Sequence, residues 1–197
     1  MHLPQPKASL YMTNDLTVHS SLLLVEQILS PWQKRIGADY EGYKNHVYRM
    51  LHCCFALTPC GDEDRQKLII AACHHDIGIW SDHTVDYLPP SIREAAQYLR
   101  AHQLGHWEEE VTLIIDLHHK IRAVKDPIAS QYPLVEVFRR ADLADFSLGM
   151  ILGGVPAEFM RRLKREFPNA GFHKMLVKAA GGWFARHPLS PPPFMKW

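Results

Sequence analysis

Three consecutive side chains that can bind a metal, His74, His75 and Asp76, occur in the sequence HHDIGIW. We predict that they end a helix over residues 64–76, with His75 and Asp76 on its buried face and His74 to one side. A buried histidine–aspartate pair is costly unless other groups neutralise it. Imidazole nitrogen and carboxylate oxygen are also common ligands of divalent ions. The pattern therefore predicts a metal site, provided that other segments supply further ligands.

Three further predicted helices each place a polar residue on their apolar side. These residues, with their helices, are His46 (43–57), His118 (107–121) and Asp142 (134–148). His118 faces inward more directly than the neighbouring His119. Four helices thus offer an imidazole or a carboxylate at comparable positions, as a shared metal site would require.

The remaining apolar patterns also predict helices, over residues 15–30, 92–104, 157–167 and 172–186. No stretch shows the alternation that is typical of a strand, and no repeat is visible. We predict an all-α fold, a single globular helical bundle over residues 15–187 with its core motifs in residues 40–148. Prolines predict an irregular N-terminal arm at residues 1–14 and an extended C-terminal strap at residues 188–197.

The composition argues against several classes of function. The 197 residues carry a formal net charge of +1, which does not favour binding to nucleic acid polymers or to membrane surfaces. No apolar run reaches the length of a membrane span, and the start does not resemble a signal peptide. The four cysteines form no CxxC pair, so we expect reduced, mostly buried thiols and a cytoplasmic protein.

Four stretches in this order, NHVYRML, HHDIGIW, IIDLHHK and RRADLADF, form the pattern H…HD…D. The pattern resembles the HD-domain superfamily of metal-dependent phosphohydrolases, and HDIGIW with the nearby DYLPPS is similar to small uncharacterised bacterial HD proteins. The resemblance implies a helical bundle of the HD type. It also implies one divalent ion (Mn, Fe, Co, Ni, Mg or Zn), with the ligands His46, His75, Asp76 and Asp142.

In one subgroup of the superfamily, two further histidines allow a second metal. His118 matches the later of these, with His119 in reserve, and is a possible additional ligand. The earlier one is missing near Ser91, although His83 or His102 could substitute, so one ion is favoured. Asp145, one turn after Asp142, is either an alternative ligand or a residue that orients one.

Many relatives carry Lys or Glu where this chain has Ile79, so other residues must move protons and bind phosphate. The catalytic candidates are Asp82, His83 and His118, the first two in a polar loop that we predict over residues 81–91 at the rim of the site, ending on Pro89 and Pro90. The substrate-binding candidates are Arg49, Lys120, Arg122 and Arg139, because cationic side chains complement phosphate oxygens. Arg139 could instead pair with nearby acids.

The resemblance implies a hydrolase in which a metal-activated water attacks a phosphate ester or anhydride. The expected substrate is a nucleotide or another small phosphorylated metabolite, and a homodimer is left open. Two alternatives remain: an HD-type di-iron oxygenase that cleaves C–C or C–P bonds, and a non-catalytic ligand-binding module.

Overall fold

The computed structural model describes residues 14–196, and within this range the chain is all-α, with no strand. Eight helices have seven residues or more. They are α1 (Leu23–Leu29), α2 (Tyr40–Leu57), α3 (Asp62–His74), α4 (Leu88–Ala101), α5 (Glu108–Leu117), α6 (Pro133–Phe146), α7 (Ala157–Glu166) and α8 (Phe172–Arg186). The predicted all-α bundle is confirmed. The predicted N-terminal arm, except for Asn14, lies outside the described residues.

Helix α2 lies at the centre of the bundle. Fourteen of its 18 residues are buried, and it packs against α3, α6, α7 and α8. Enclosure on almost every side means that its polar side chains must find partners inside the protein. Asn45, His46, Arg49 and His52 are all buried on this one helix. Helix α2 therefore carries polar groups into the core where the predicted metal ligands converge.

The predicted helix over residues 15–30 is wrong in its first half, because α1 begins only at Leu23. Several of the preceding backbone N–H groups bond to α2 instead of to carbonyls within a helix. Asp15 N–H donates to the carbonyl of Phe55, and His19 N–H donates to His52 Nε2 at 2.8 Å. Since a helix would need those same groups, this tertiary bonding holds the segment extended.

The HHD stretch lies where α3 ends. The helix stops at His74, two residues earlier than predicted, and His75 and Asp76 lie in the turn that follows. A short helix, Gly78–Ser81, continues from this turn. A Cβ atom at Gly78 would lie 2.2 Å from the carbonyl oxygen of Tyr87. The glycine therefore allows a close approach between this turn and the start of α4.

Helix α4 begins at Leu88 and not at the predicted residue 92, because Pro89 and Pro90 occupy its first turn, where proline is tolerated. Ser91 is consequently a buried helical residue, and its Oγ accepts a 2.9 Å hydrogen bond from Gly78 N–H. The polar loop that we predicted over residues 81–91 shrinks to about six residues.

Helix α5 ends at Leu117, four residues before the predicted end at 121, so His118 and His119 lie in the turn after it. The remaining boundaries differ less. Helix α6 spans Pro133–Phe146 where 134–148 was predicted, and α8 has the predicted bounds. The four cysteines are free thiols, three of them buried. Among residues 14–196, none of the helices combines the length and apolarity that crossing a bilayer requires.

Candidate metal centre

Side chains from α2, α6 and two turns meet in the core. The turn after α3 supplies His75 and Asp76, α2 supplies His46, α6 supplies Asp142 and the turn after α5 supplies His118. Each of the five is at most 3% exposed. The sequence-predicted ligand set is thus brought together at one place.

The spacing within this cluster suits a bound ion. His46 Nε2 lies 3.0 Å from His75 Nε2 and 3.4 Å from Asp142 Oδ1, and His75 Nε2 lies 3.2 Å from Asp76 Oδ2. Two ligand atoms about 2.1 Å from one ion are separated by about 3.0 Å at a right angle and by about 3.4 Å in a tetrahedron. Three neighbouring donor pairs therefore have the spacing of ligands on one ion, while the pairs His46 Nε2–Asp76 Oδ2 and His75 Nε2–Asp142 Oδ1, at 4.0 and 3.9 Å, span wider angles.

The ring tautomers point the same way. His46 Nδ1–H donates to Asp145 Oδ2, His75 Nδ1–H to the carbonyl of Ala72, and His118 Nδ1–H to that of Ile115, each at 2.7 Å. In the neutral rings this leaves all three Nε2 atoms unprotonated and directed at the cluster. Metal-binding histidines characteristically hold their second nitrogen in this way.

The two carboxylates extend the cluster towards a second group of donors. Asp76 presents Oδ2 to His75 and Oδ1 to His118 Nε2, at 3.6 Å. Asp142 presents Oδ1 to His46, while its Oδ2 lies 3.7 Å from His119 Nδ1. Two groups that could hold an ion result: His46, His75 and Asp76, and then Asp76, His118 and His119.

Two buried polar atoms of this cluster, Asp76 Oδ1 and His118 Nε2, have no hydrogen-bond partner among the described residues. An unsatisfied buried oxygen or nitrogen costs about 1–3 kcal/mol. Both atoms belong to the same pair and face each other. A cation between them would satisfy both at once, so the donor set fits a metal ion on an observation independent of the spacing.

The charges in the cluster also call for a cation. Burial raises the pKa of Asp142 above its ordinary value. Burial acts in the same direction on Asp76, but His75 and His118 outweigh it and hold the pKa of Asp76 well below its usual range. Burial favours the neutral ring of His75, yet the two carboxylates raise its pKa to about 9. Without an ion, the His75 ring thus holds a proton tightly between the two carboxylates, at the place where a divalent ion would replace it.

Asp145 orients His46, which is the second of the roles predicted for it. Its carboxylate accepts hydrogen bonds from Arg49 Nε at 2.5 Å and Arg49 Nη2 at 2.8 Å, besides the bond from His46. Burial opposes ionisation, but these bonds from His46 and Arg49 lower the pKa of Asp145 below its usual range. Arg49 also donates to the carbonyl of Phe167. Its guanidinium is thus directed at Asp145 and at the backbone, and not into the donor cluster.

His119 is held by a residue that sequence reasoning missed. Its Nε2 lies 2.5 Å from Tyr87 Oη, just before α4. In the tautomer with Nε2–H donating to that hydroxyl, Nδ1 is free to bind an ion beside Asp142. Burial and the neighbouring His118 lower the pKa of His119 well below its ordinary value, so the ring is neutral. The motif DYLPPS, which contains Tyr87, could be noticed in the sequence, but its contact with His119 could not.

The other predicted site residues are not part of the donor cluster. Asp82 is exposed and paired with Arg93 at 2.6 Å, and His83 is exposed with a φ of +53°. Arg139 pairs with Glu136 at 2.6 Å, which is the alternative predicted for it. Arg122 is exposed, and Lys120 lines a cavity of about 270 Å³ next to His118 and His119.

Neither suggested substitute for the histidine missing near Ser91 joins the cluster. His102 is exposed on the far end of α4, with Nδ1 on the carbonyl of Tyr98. His119, the reserve, supplies the additional imidazole instead. His74 points away from the cluster and donates to the carbonyl of Ile70.

A cavity of about 300 Å³ opens onto the cluster. One side of it is formed by His46, Asp76, His119 and Asp142. The rest of the wall is mostly apolar and consists of Ile79, Val85, Phe146, Phe172, Leu176, Val177 and Phe194, with Thr84, Tyr87 and His173. Phe172 stacks on His46 with ring centroids 4.3 Å apart. Sequence reasoning missed this apolar wall, because its members come from four separate segments.

Comparison of the chain with protein-family models finds no matching family, and comparisons with curated proteins and with solved structures find no match either. The assignment of the site therefore depends on its own geometry. The resemblance to the HD-domain superfamily remains a prediction from the sequence.

Proposed function

We propose that the protein is a metal-dependent hydrolase of the HD type, which acts on a phosphate ester or anhydride of a small molecule. One observation carries the proposal: three histidines hold Nδ1–H in hydrogen bonds and turn Nε2 towards the carboxylates of Asp76 and Asp142, beside a cavity that can admit a substrate. Such a buried donor set has no evident purpose in packing, where polar groups are satisfied by hydrogen bonds.

Each residue of the centre has a part in this proposal. Divalent ions, when bound, supply Lewis acidity and an activated water. His46 and His75 would hold one ion, and His118 and His119 would hold a second, with Asp76 common to both groups. Asp145 fixes the ring of His46. Two ion positions, where the sequence favoured one, follow from His119 standing in for the histidine missing near Ser91.

Tyr87 is the strongest candidate for donating a hydrogen bond to a substrate in the cavity. It lines the cavity and lies next to His119. Burial and the charge of Asp76 raise its pKa well above the ordinary value, so the hydroxyl keeps its proton. Asp82 and His83, the catalytic candidates from the sequence, are not among the residues that line this cavity. His118 is better placed to bind an ion than to transfer a proton.

A di-iron oxygenase is the second candidate, and the pair His118 and His119 favours it. With both, the cluster has four imidazoles and two carboxylates, the number of ligands that such a site requires. A largely apolar cavity would also keep water from reactive iron.

Elemental analysis and turnover together test these proposals. The full chain, loaded in turn with Mn, Fe, Co, Ni, Mg and Zn, is expected to retain up to two ions and to hydrolyse members of a phosphate-ester panel. Asp76→Asn should lose both properties while keeping its helical content. His102→Gln, on an exposed histidine, is the matched control and should keep both.

Retention of no ion by the wild-type chain would contradict the metal centre itself. Hydrolysis that persists in Asp76→Asn would contradict the mechanism. Two irons per chain, with oxygen consumption and no ester hydrolysis, would replace the hydrolase by the oxygenase.

A further inference from the structure

The cavity beside the metal cluster has a chemical character that the cluster alone does not predict. Its apolar wall is built by Phe172, Leu176 and Val177 of α8, together with Phe146 and Phe194. Two of these rings lie next to the donors: Phe172 stacks on His46, and the ring centroid of Phe194 lies 5.1 Å from that of His119. A substrate that places its reacting group at the donor cluster must place its other end against these apolar side chains.

The polar groups on this wall already have partners within the chain. Thr84 Oγ1 accepts a hydrogen bond from Asp86 N–H at 3.1 Å, and His173 Nε2 bonds to the carbonyl of Phe146 at 3.0 Å. Tyr87 Oη bonds to His119. A sugar or a base would lose its bonds to water on entering and would find few replacements, which is a strong penalty.

Charge points in the same direction. Among the described residues that line this cavity, none is a lysine or an arginine. A nucleoside diphosphate or triphosphate carries several negative charges, of which the ions can neutralise only those nearest to them. The cavity of about 300 Å³ lies at the small end of the range for ligand sites, about ten water volumes. Nucleotides therefore fit this cavity poorly in charge, polarity and size; Lys120 lines the adjoining cavity instead.

We infer that the substrate is a phosphate monoester of a small apolar alcohol, with an alkyl or aryl group bound against α8. This inference rests on the proposed function, since it takes the phosphoryl group to be the reacting end. It replaces the wider expectation of a nucleotide or any small phosphorylated metabolite. Leu176, half-buried on the wall, becomes a residue that determines specificity.

A chain-length series tests the inference with the metal-loaded full chain. Ethyl, propyl and butyl phosphate are compared by turnover and, separately, by calorimetric binding; 1-naphthyl phosphate and AMP extend the comparison. Each added methylene that enters the cavity should raise kcat/KM or affinity about fourfold until the cavity is full. AMP should bind no better than inorganic phosphate.

Leu176→Asn should flatten this dependence on chain length while leaving the binding of inorganic phosphate unchanged. Leu23→Asn makes the same change at an exposed position on α1, outside the cavity, and should keep the full dependence. Comparison of the two variants separates an effect of the cavity wall on specificity from a general effect of replacing leucine by asparagine.

The outcomes distinguish this inference from the proposed function. Affinity that rises with chain length without any hydrolysis would keep the apolar site and overturn the hydrolase. Hydrolysis with AMP preferred, or with no dependence on chain length, would keep the hydrolase and overturn the apolar site. Equal slopes in Leu176→Asn and the wild type would also overturn the assignment of this wall.

Discussion

The bond between Asp145 and His46 makes metal affinity sensitive to a residue that is not itself a ligand. Asp145→Asn removes one negative charge and keeps the shape of the side chain. The amide oxygen can still accept the His46 Nδ1–H bond that now spans 2.7 Å, but the bond is no longer assisted by charge. We expect His46 to become a weaker and less well oriented ligand.

The magnitude follows from the two partners of this carboxylate. Loss of an orienting group typically lowers metal affinity by about 10- to 100-fold, which is about 1.4–2.8 kcal/mol. Arg49 is also left without a counter-charge, and breaking a buried pair costs about 3–5 kcal/mol. Since Arg49 keeps its 2.8 Å bond to the carbonyl of Phe167, we expect the loss of folding stability to lie at the lower end of this range of about 3–5 kcal/mol. About 3 kcal/mol lowers the Tm by about 6–12 °C in a chain of this length.

Arg49→Met separates the two effects. It also breaks the buried pair, so stability should fall by a similar amount. The Asp145 carboxylate keeps its bond to His46, however, and loses the competing cation. Metal affinity should therefore stay at the wild-type value or rise, opposite to Asp145→Asn. Asp62→Asn, at an exposed acid, should change neither quantity appreciably.

Competition against a chelator of known affinity gives the metal affinity, and melting of the metal-free chains gives the stability. Wild-type affinity in Asp145→Asn would refute the orienting role. Equal loss of affinity in Asp145→Asn and Arg49→Met would show that affinity follows stability, and would refute the reasoning as well.

Three further predictions concern other parts of the fold. Gly78→Ala places a Cβ atom 2.2 Å from the carbonyl oxygen of Tyr87; thermal melting should show a loss of about 1–3 kcal/mol, and an unchanged Tm would contradict the close approach. His52 accepts a bond from His19 N–H, and burial lowers its pKa. Its folded pKa lies below the unfolded value of about 6.5, so stability is fully present above pH 6.5 and is lost as the pH falls below it. Urea unfolding at several pH values should show this slope, which should be shallower in His52→Gln. Chelation should lower the Tm of the metal-loaded wild type but not that of Asp76→Asn; equal shifts would place the ion elsewhere.

Local sequence patterns predicted the ends of α7 and α8 well, because these ends depend on nearby residues. Helix α8 has its predicted bounds, and α7 ends within one residue of the prediction, before Pro168. The helix over residues 15–30 was mispredicted because its N–H groups bond to α2, which no local pattern reveals. The start of α4 was misplaced for a different reason: Pro89 and Pro90 were taken as a break although proline fits a first helical turn.

For the candidate site as well, local patterns predicted some features, and the features that depend on tertiary contacts were missed. Apolar periodicity was enough to predict that His118 and Asp142 face inward, and the structure places both in the cluster. It could not show that Arg49 faces Asp145 and not a substrate, because that pairing joins residues 96 positions apart. Nor could it show the apolar cavity or the contact between Tyr87 and His119, which exist only once the helices have packed.

The stacking of Phe172 on His46 links the ion to the cavity in thermodynamic terms. Phe172 lines the cavity and His46 belongs to the first donor group. An ion that fixes the His46 ring also fixes one face of the cavity, and a ligand packed against Phe172 restrains the same ring. Whatever factor the ion adds to ligand affinity, the ligand must add to ion affinity. Under the proposed function, an abundant substrate would therefore increase the loading of this centre with ions, without any further regulatory site.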